Sequence, residues 1–191
     1  MRFVGFDQSR ALELYFWNLR LSASFYPLLA GIEICLRNQM LKRLEGEFGV
    51  RWWNNNEFRK LLGQKGERLI KDAIRNLTRK NSPVTAGRIT AELSFGFWSG
   101  MLLAKYEPKL WTPFESHFTN VPSGVDRRKL ETRCESIRKL RNRISHHEPL
   151  IKRNISQDYS HALELLRWLS PEKAEWIKPR LEIMSILRSR P

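Results

Sequence analysis

Between Lys139 and Leu150 the chain reads KLRNRISHHEPL, with two arginines, an asparagine and two adjacent histidines just before a proline. These residue types suit work on phosphate. Arginine presents a planar fork of donors to phosphate oxygens and stays charged. Histidine titrates near neutrality and carries a proton to or from a hydroxyl. Asparagine orients an imidazole or donates to a phosphate. An RNA 2′-hydroxyl attacking its own phosphodiester needs a base, an acid and a charge stabiliser, and no metal. Arg141, Asn142 and His146 are therefore the candidate catalytic residues, with His147 beside them. A plainer reading stands next to this one: a basic helix end with histidines complements the negative end of the helix dipole.

Such a site needs a helix that stops in the right place. Asp126 is a helix-capping residue, and the basic run after it has helical spacing. Pro149 disfavours helix at Glu148, so the helix is expected to end around the histidines. With each residue turning about 100°, Ile137, Leu140 and Ile144 form a narrow apolar stripe. Asn142 and His146 are four apart and share a face. Arg141 lies at the edge of the stripe, away from His146. Either the helix unwinds before Pro149, or two copies of it pack across the stripe and combine their residues.

The formal net charge is +14 and the sequence pI about 10.3. A globular chain this basic attracts polyanions, nucleic acid ahead of an anionic membrane surface. Arg127, Arg128, Lys129, Arg133, Arg138, Lys139, Arg141, Arg143, Lys152 and Arg153 crowd one segment, opposed there only by Glu131, Glu135 and Glu148. Arg138, Lys139, Arg143, Lys152 and Arg153 are the expected RNA-binding residues.

Strand alternation is nearly absent, and the chain reads as one all-α domain over residues 1–191. Leu12, Tyr15, Phe16 and Leu19 recur at helical intervals, as do Leu28, Ile32, Cys35, Leu36 and Met40. Ser24 and Pro27 mark the start of the second of these helices. A helix is expected over about 66–79, a longer one from near Thr85 through Gly96 and Gly100, and further helices from Ser156, from Ser170 and in the tail. The two interior glycines suggest close helix–helix approach. A hydrophobic share of 41% with seven tryptophans excludes a disordered chain. No uninterrupted apolar run approaches the ~18–20 residues of a membrane span, so no membrane partner is expected. The opening MRFVGFDQSR lacks the order of a secretory leader, which makes the cytoplasm the expected location. Cys35 and Cys134 read as buried thiols. No metal is expected, since adjacent histidines diverge on a helix and no HExxH is present. No Walker-type glycine loop or dinucleotide fingerprint occurs, and no cofactor is expected.

Two further groups stay open on the sequence. In GIEICLRNQM, Glu33 and Arg37 are four apart, with Asn38 beside them. They form either a self-contained ion pair or a group, Glu33 above all, that orients Arg141. Trp17, Trp98, Trp168 and Trp176 fall in apolar helical runs and read as core. Trp52 and Trp53 either anchor a loop or stack on bases.

Arg141-Asn-Arg-Ile-Ser-His146 resembles the R-x4-6-H signature of the HEPN superfamily, with Asn142 as the polar residue that often follows the arginine. LRNRISHHEPL, LYFWNLRLSASFYPLLAGIEICLRNQM and AELSFGFWSGML together resemble the Abi-like abortive-infection proteins, in order and spacing, over about residues 8–180. The resemblance implies a HEPN-like helical bundle with additional helices, commonly dimeric. It implies a metal-independent endoribonuclease of phage defence or of a toxin–antitoxin pair, with an antitoxin as a further partner. Arg141, Asn142 and His146 would form the active site at a homodimer interface. His147 is an extra histidine, either a second proton carrier or a helix-end residue. The alternative activities are an RNA- or nucleotide-binding HEPN module that does not cut, or a regulatory partner of another defence protein.

Overall fold

Helical periodicity is realised along residues 7–191, which the computed structural model describes; the leader reading of the first residues lies outside them. The described residues form helices and turns, with no strand among them. In chain order the α-helices are α1 (Gln8–Ser24), α2 (Tyr26–Phe48), α3 (Asn56–Arg79), α4 (Ala86–Glu92), α5 (Phe95–Gly100), α6 (Glu107–Leu110), α7 (Arg127–Ser145), α8 (Ile155–Leu169), α9 (Pro171–Ile177) and α10 (Ile183–Arg188). Contacts divide the chain into two compact units, one of residues 7–32 with Glu135–Pro191 and the other Glu33–Cys134. The boundaries fall within α2 and α7.

In the first unit α1 packs on α10, and α8 packs on α9 and α10. The face of α1 that goes inside is Leu14, Trp17, Asn18 and Leu21. Leu12, Tyr15 and Phe16, expected as part of an apolar face, are 60–63% exposed. With apolar residues on more than one side of α1, periodicity alone does not select the buried one. Two polar groups inside this face are satisfied by distant backbone. The Trp17 indole Nε1–H donates to the Ile186 carbonyl at 2.7 Å, and the Leu150 amide donates to the Asn18 side-chain oxygen at 2.8 Å. The backbone stays near-helical through Phe25, between α1 and α2. Ser24 does not cap α2; its hydroxyl donates back to the Leu21 carbonyl. Further on, Asn154 rather than Ser156 caps α8, accepting from the Gln157 amide. Ser170 caps α9 as its sequence predicts, with Pro171 in the first turn.

The second unit is built on aromatic rings. Trp52 is fully buried and meets Trp53, Phe58 and Trp98 edge-on at 5.6–5.9 Å. Trp52 and Trp53 are thus the loop anchors, not stacking platforms. Gly63, at φ 70°, breaks α3 into two helical segments. The long helix expected from Thr85 is interrupted, because Leu93 turns extended and Ser94 caps a new helix by accepting from the Phe97 amide. A Cβ added to Gly100 would meet open space, and Gly96 is exposed, so neither marks a close approach. Arg127, at the start of α7, is buried and held by Glu107, Glu131 and the Leu102 carbonyl.

Two further expectations change. Trp176 is 62% exposed and carries the Arg180 guanidinium 4.6 Å from its ring, because Ala174 and Ile177 take the buried side of α9. The helical stretch Gln8–Phe48 contains an 18-residue window of mean hydropathy 1.3, long and apolar enough to cross a membrane. Small and neutral residues keep the average high where no uninterrupted apolar run exists. Of that window, 39% is buried within the fold, and Leu28, Ile32, Leu36 and Met40 are fully buried.

The burial difference among tryptophans sets an expectation. Trp52→Ala should lower unfolding free energy by about 3–5 kcal/mol, whereas Trp176→Ala should change it by less than about 1 kcal/mol. Urea denaturation of the two variants checks this; similar losses would contradict the burial pattern.

Candidate functional site

The signature lies at the C-terminal end of α7. The helix begins where Asp126 accepts from the Lys129 amide at 2.8 Å, as the capping rule predicts. Leu130, Cys134, Ile137 and Leu140 form its buried stripe, while Ile144 is half-buried. Burial pushes the Cys134 thiol far up from its ordinary range, which removes it as a nucleophile.

Three bonds describe how the helix stops. His146 N–H donates to the Asn142 carbonyl at 2.9 Å, His147 N–H to Ile144 at 3.1 Å, and Glu148 N–H to Arg143 at 2.9 Å. With His147 at φ 56°, this is a Schellman ending in which His147 takes the left-handed position usually held by glycine. Pro149 follows, and the buried Leu150 is tied to Asn18. His146 therefore keeps helical register, and the chain leaves the helix only at His147. Unwinding does not carry His146 round to Arg141. Asn142 and His146 share a face, and Arg141 is not on it.

The surrounding charges are largely neutralised in pairs. Arg138 makes two bonds to Glu135 at 2.6 and 2.7 Å, with Lys139 3.9 Å from the same carboxylate. The Arg138 hydrogen bonds hold Glu135 below the usual carboxylate range. Arg143 reaches Glu148 at 2.8 Å across the helix end. Arg153 grips the buried Asp158 through two bonds at 2.6 and 2.7 Å, and these raise its pKa. Lys152 is exposed on the turn after the signature. Among the described residues, the half-buried Arg141 makes no hydrogen bond or ion pair through its side chain, nor do Asn142, His146 or His147. Both imidazoles are exposed.

Glu33, Arg37 and Asn38 belong to the second unit. The Glu33–Arg37 pair that their spacing predicts does not form, and the Arg37 Nε is buried without a partner. Sequence reasoning missed Asn18. The signal was present: an asparagine inside the apolar run LYFWNLRL demands a partner once buried.

Among the described residues, an all-helical fold thus carries a basic helix that ends in an arginine without a side-chain partner and two exposed imidazoles. This chain belongs to the Abi-like protein family, whose sequence model matches residues 1–152. The match takes in the whole signature and its turn. Membership suggests a role of the abortive-infection type. No curated protein and no solved structure matches the chain significantly.

The helix end carries its own expectation. His147→Gly should raise unfolding stability by about 0.5–1 kcal/mol, since glycine takes a positive φ without the clash of a Cβ. Chemical denaturation measures this, and a loss of stability would contradict the ending described.

Proposed function

We propose that the chain is a metal-independent endoribonuclease of an abortive-infection or toxin–antitoxin system, with a HEPN-type site at the end of α7. One imidazole takes the proton of an RNA 2′-hydroxyl, whose oxygen attacks the adjacent phosphorus. The bond from phosphorus to the 5′-oxygen breaks, and a second imidazole returns a proton to that oxygen. The products are a 2′,3′-cyclic phosphate and a 5′-hydroxyl. His146 is the first choice for proton transfer, and Asn142 on the same face orients it. Arg141 stabilises charge gathering on the phosphate oxygens. His147 is the second proton carrier. A helix end alone asks for glycine there, and a side chain kept at a left-handed position favours a functional reason.

The observation that carries this reading is the contrast in pairing. Arg138, Arg143 and Arg153 are matched with carboxylates, while Arg141 and both histidines are left to an external partner. The placement of Arg141 off the face of Asn142 and His146 supports a site shared by two copies. The exposed strip of Leu12, Tyr15 and Phe16 is of the kind that protein interfaces use. The same placement favours a second reading, an RNA-binding module that does not cut, should the chain act as a single copy.

Purified protein incubated with RNA in excess EDTA should cleave it, and Arg141→Ala and His146→Ala should each lose about 10²-fold or more. Subunits of the two variants, unfolded and refolded together, should recover about one quarter of wild-type activity, because a mixed dimer rebuilds one intact site. Cleavage abolished by the chelator, or retained in both variants, overturns the mechanism. Absence of recovery in the mixture removes the shared site but not the chemistry.

A further inference from the structure

The second unit contains a polar cleft that the proposed nuclease site does not use. Its volume is about 380 Å³, and Lys42, Arg43, Ser116, His117 and Thr119 line it over a floor of buried aromatic rings. No carboxylate is among its lining residues. Arg43 is fixed in place: its Nε–H donates to the Leu110 carbonyl at 2.7 Å, and its NH2 group to the Lys109 carbonyl at 2.9 Å and toward Glu47 at 3.0 Å. That leaves the NH1 group, with two donors, uncommitted. Lys109 turns to Glu47 and Glu57, each at 3.0 Å, so Glu47 is shared between two cations. His117 stands edge-on to Trp111 with ring centres 6.0 Å apart. Lys42 is exposed and makes no ion pair among the described residues.

We propose that this cleft binds a phosphate ester, with Arg43 and Lys42 on the phosphate oxygens and His117 donating a further hydrogen bond. Arg43 is held by backbone before any ligand arrives, so little side-chain freedom is lost on binding. The local field agrees. Burial first, and then the Arg43 charge, lower the His117 pKa, with Glu47 opposing weakly. The folded chain therefore takes up a proton there less readily than the unfolded chain. The contribution of this histidine to stability falls as pH drops through its unfolded value of about 6.5. An anion bound in the cleft reverses that field and favours the charged imidazole. The site does not depend on RNA cleavage, and it stands or falls apart from the nuclease reading.

Histidine-selective NMR on the Arg141→Ala/His146→Ala double variant tests it, with His117→Gln identifying the His117 signals. Inorganic phosphate, AMP and an uncleavable 2′-O-methyl oligoribonucleotide are titrated separately. The His117 signals should move, and its pKa should rise in the presence of the ligand. Response to phosphate and AMP identifies a mononucleotide site; response to the oligonucleotide alone identifies the RNA backbone. Lys42→Ala should weaken the binding about tenfold. His117 signals unmoved by phosphate and AMP to about 10 mM and by the oligonucleotide, or undiminished binding by Lys42→Ala, overturn the proposal.

Discussion

The amide of Leu150 lies buried just past the signature, and the side chain of Asn18, 132 residues earlier, is what satisfies it. The geometry of the α7 ending rests on this bond. An unpaired buried amide costs about 1–3 kcal/mol, so the chain must return to α1 immediately after Pro149. That return leaves four residues after Ser145, His146 to Pro149, in which to end the helix, reverse direction and reach Leu150. His147 accommodates the reversal by taking a left-handed backbone. Trp17, the neighbour of Asn18, is tied in turn to the carbonyl of Ile186. One turn of α1 thus fixes both the ending of α7 and the position of α10.

Charge follows a second constraint. A formal charge of +14 invites a picture of an even basic surface. Along the signature the picture differs, because Glu135, Glu148 and Asp158 each take an arginine. The Glu135 and Glu148 pairs are open to solvent and add little stability, whereas Asp158 is buried beneath Arg153; the larger effect of all three is to direct the field. They remove competing cations from around Arg141, which is left with its donors unclaimed. Among the described residues at this end of α7, Arg138 and Arg143 are each bound to a carboxylate and Arg141 is not.

The all-helical class, the capped start of α7 and its stop near the histidines were legible, because Asp126, the apolar spacing of Ile137, Leu140 and Ile144, and Pro149 are local signals; the buried stripe runs instead through Leu130, Cys134, Ile137 and Leu140, with Ile144 half-buried. What was hidden depends on distant partners. Periodicity did not decide which side of α1 is buried, since Leu12, Tyr15 and Phe16 are as apolar as Leu14, Trp17 and Leu21. The extended backbone at Leu93 ended a helix that the apolar pattern continued. Trp176 looked internal because nothing nearby in sequence shows that Ala174 and Ile177 take its place. The spacing of Glu33 and Arg37 suggested a bond that does not form. At the site, residue types and the shared face of Asn142 and His146 were readable. The left-handed His147 and the pairing that isolates Arg141 were not, because both depend on where Leu150 and the carboxylates come to rest.

The central claim is that the end of α7 cuts RNA with its own side chains, using the 2′-hydroxyl as nucleophile. The chemical identity of the product ends tests it most directly. Fragments of an end-labelled RNA, generated by the wild-type protein in excess chelator, should carry 2′,3′-cyclic phosphate and 5′-hydroxyl termini. A single 2′-deoxy nucleotide at the cleavage position should abolish the cut. Fragments with 5′-phosphate and 3′-hydroxyl ends, or unchanged cleavage at the deoxy position, would contradict the account.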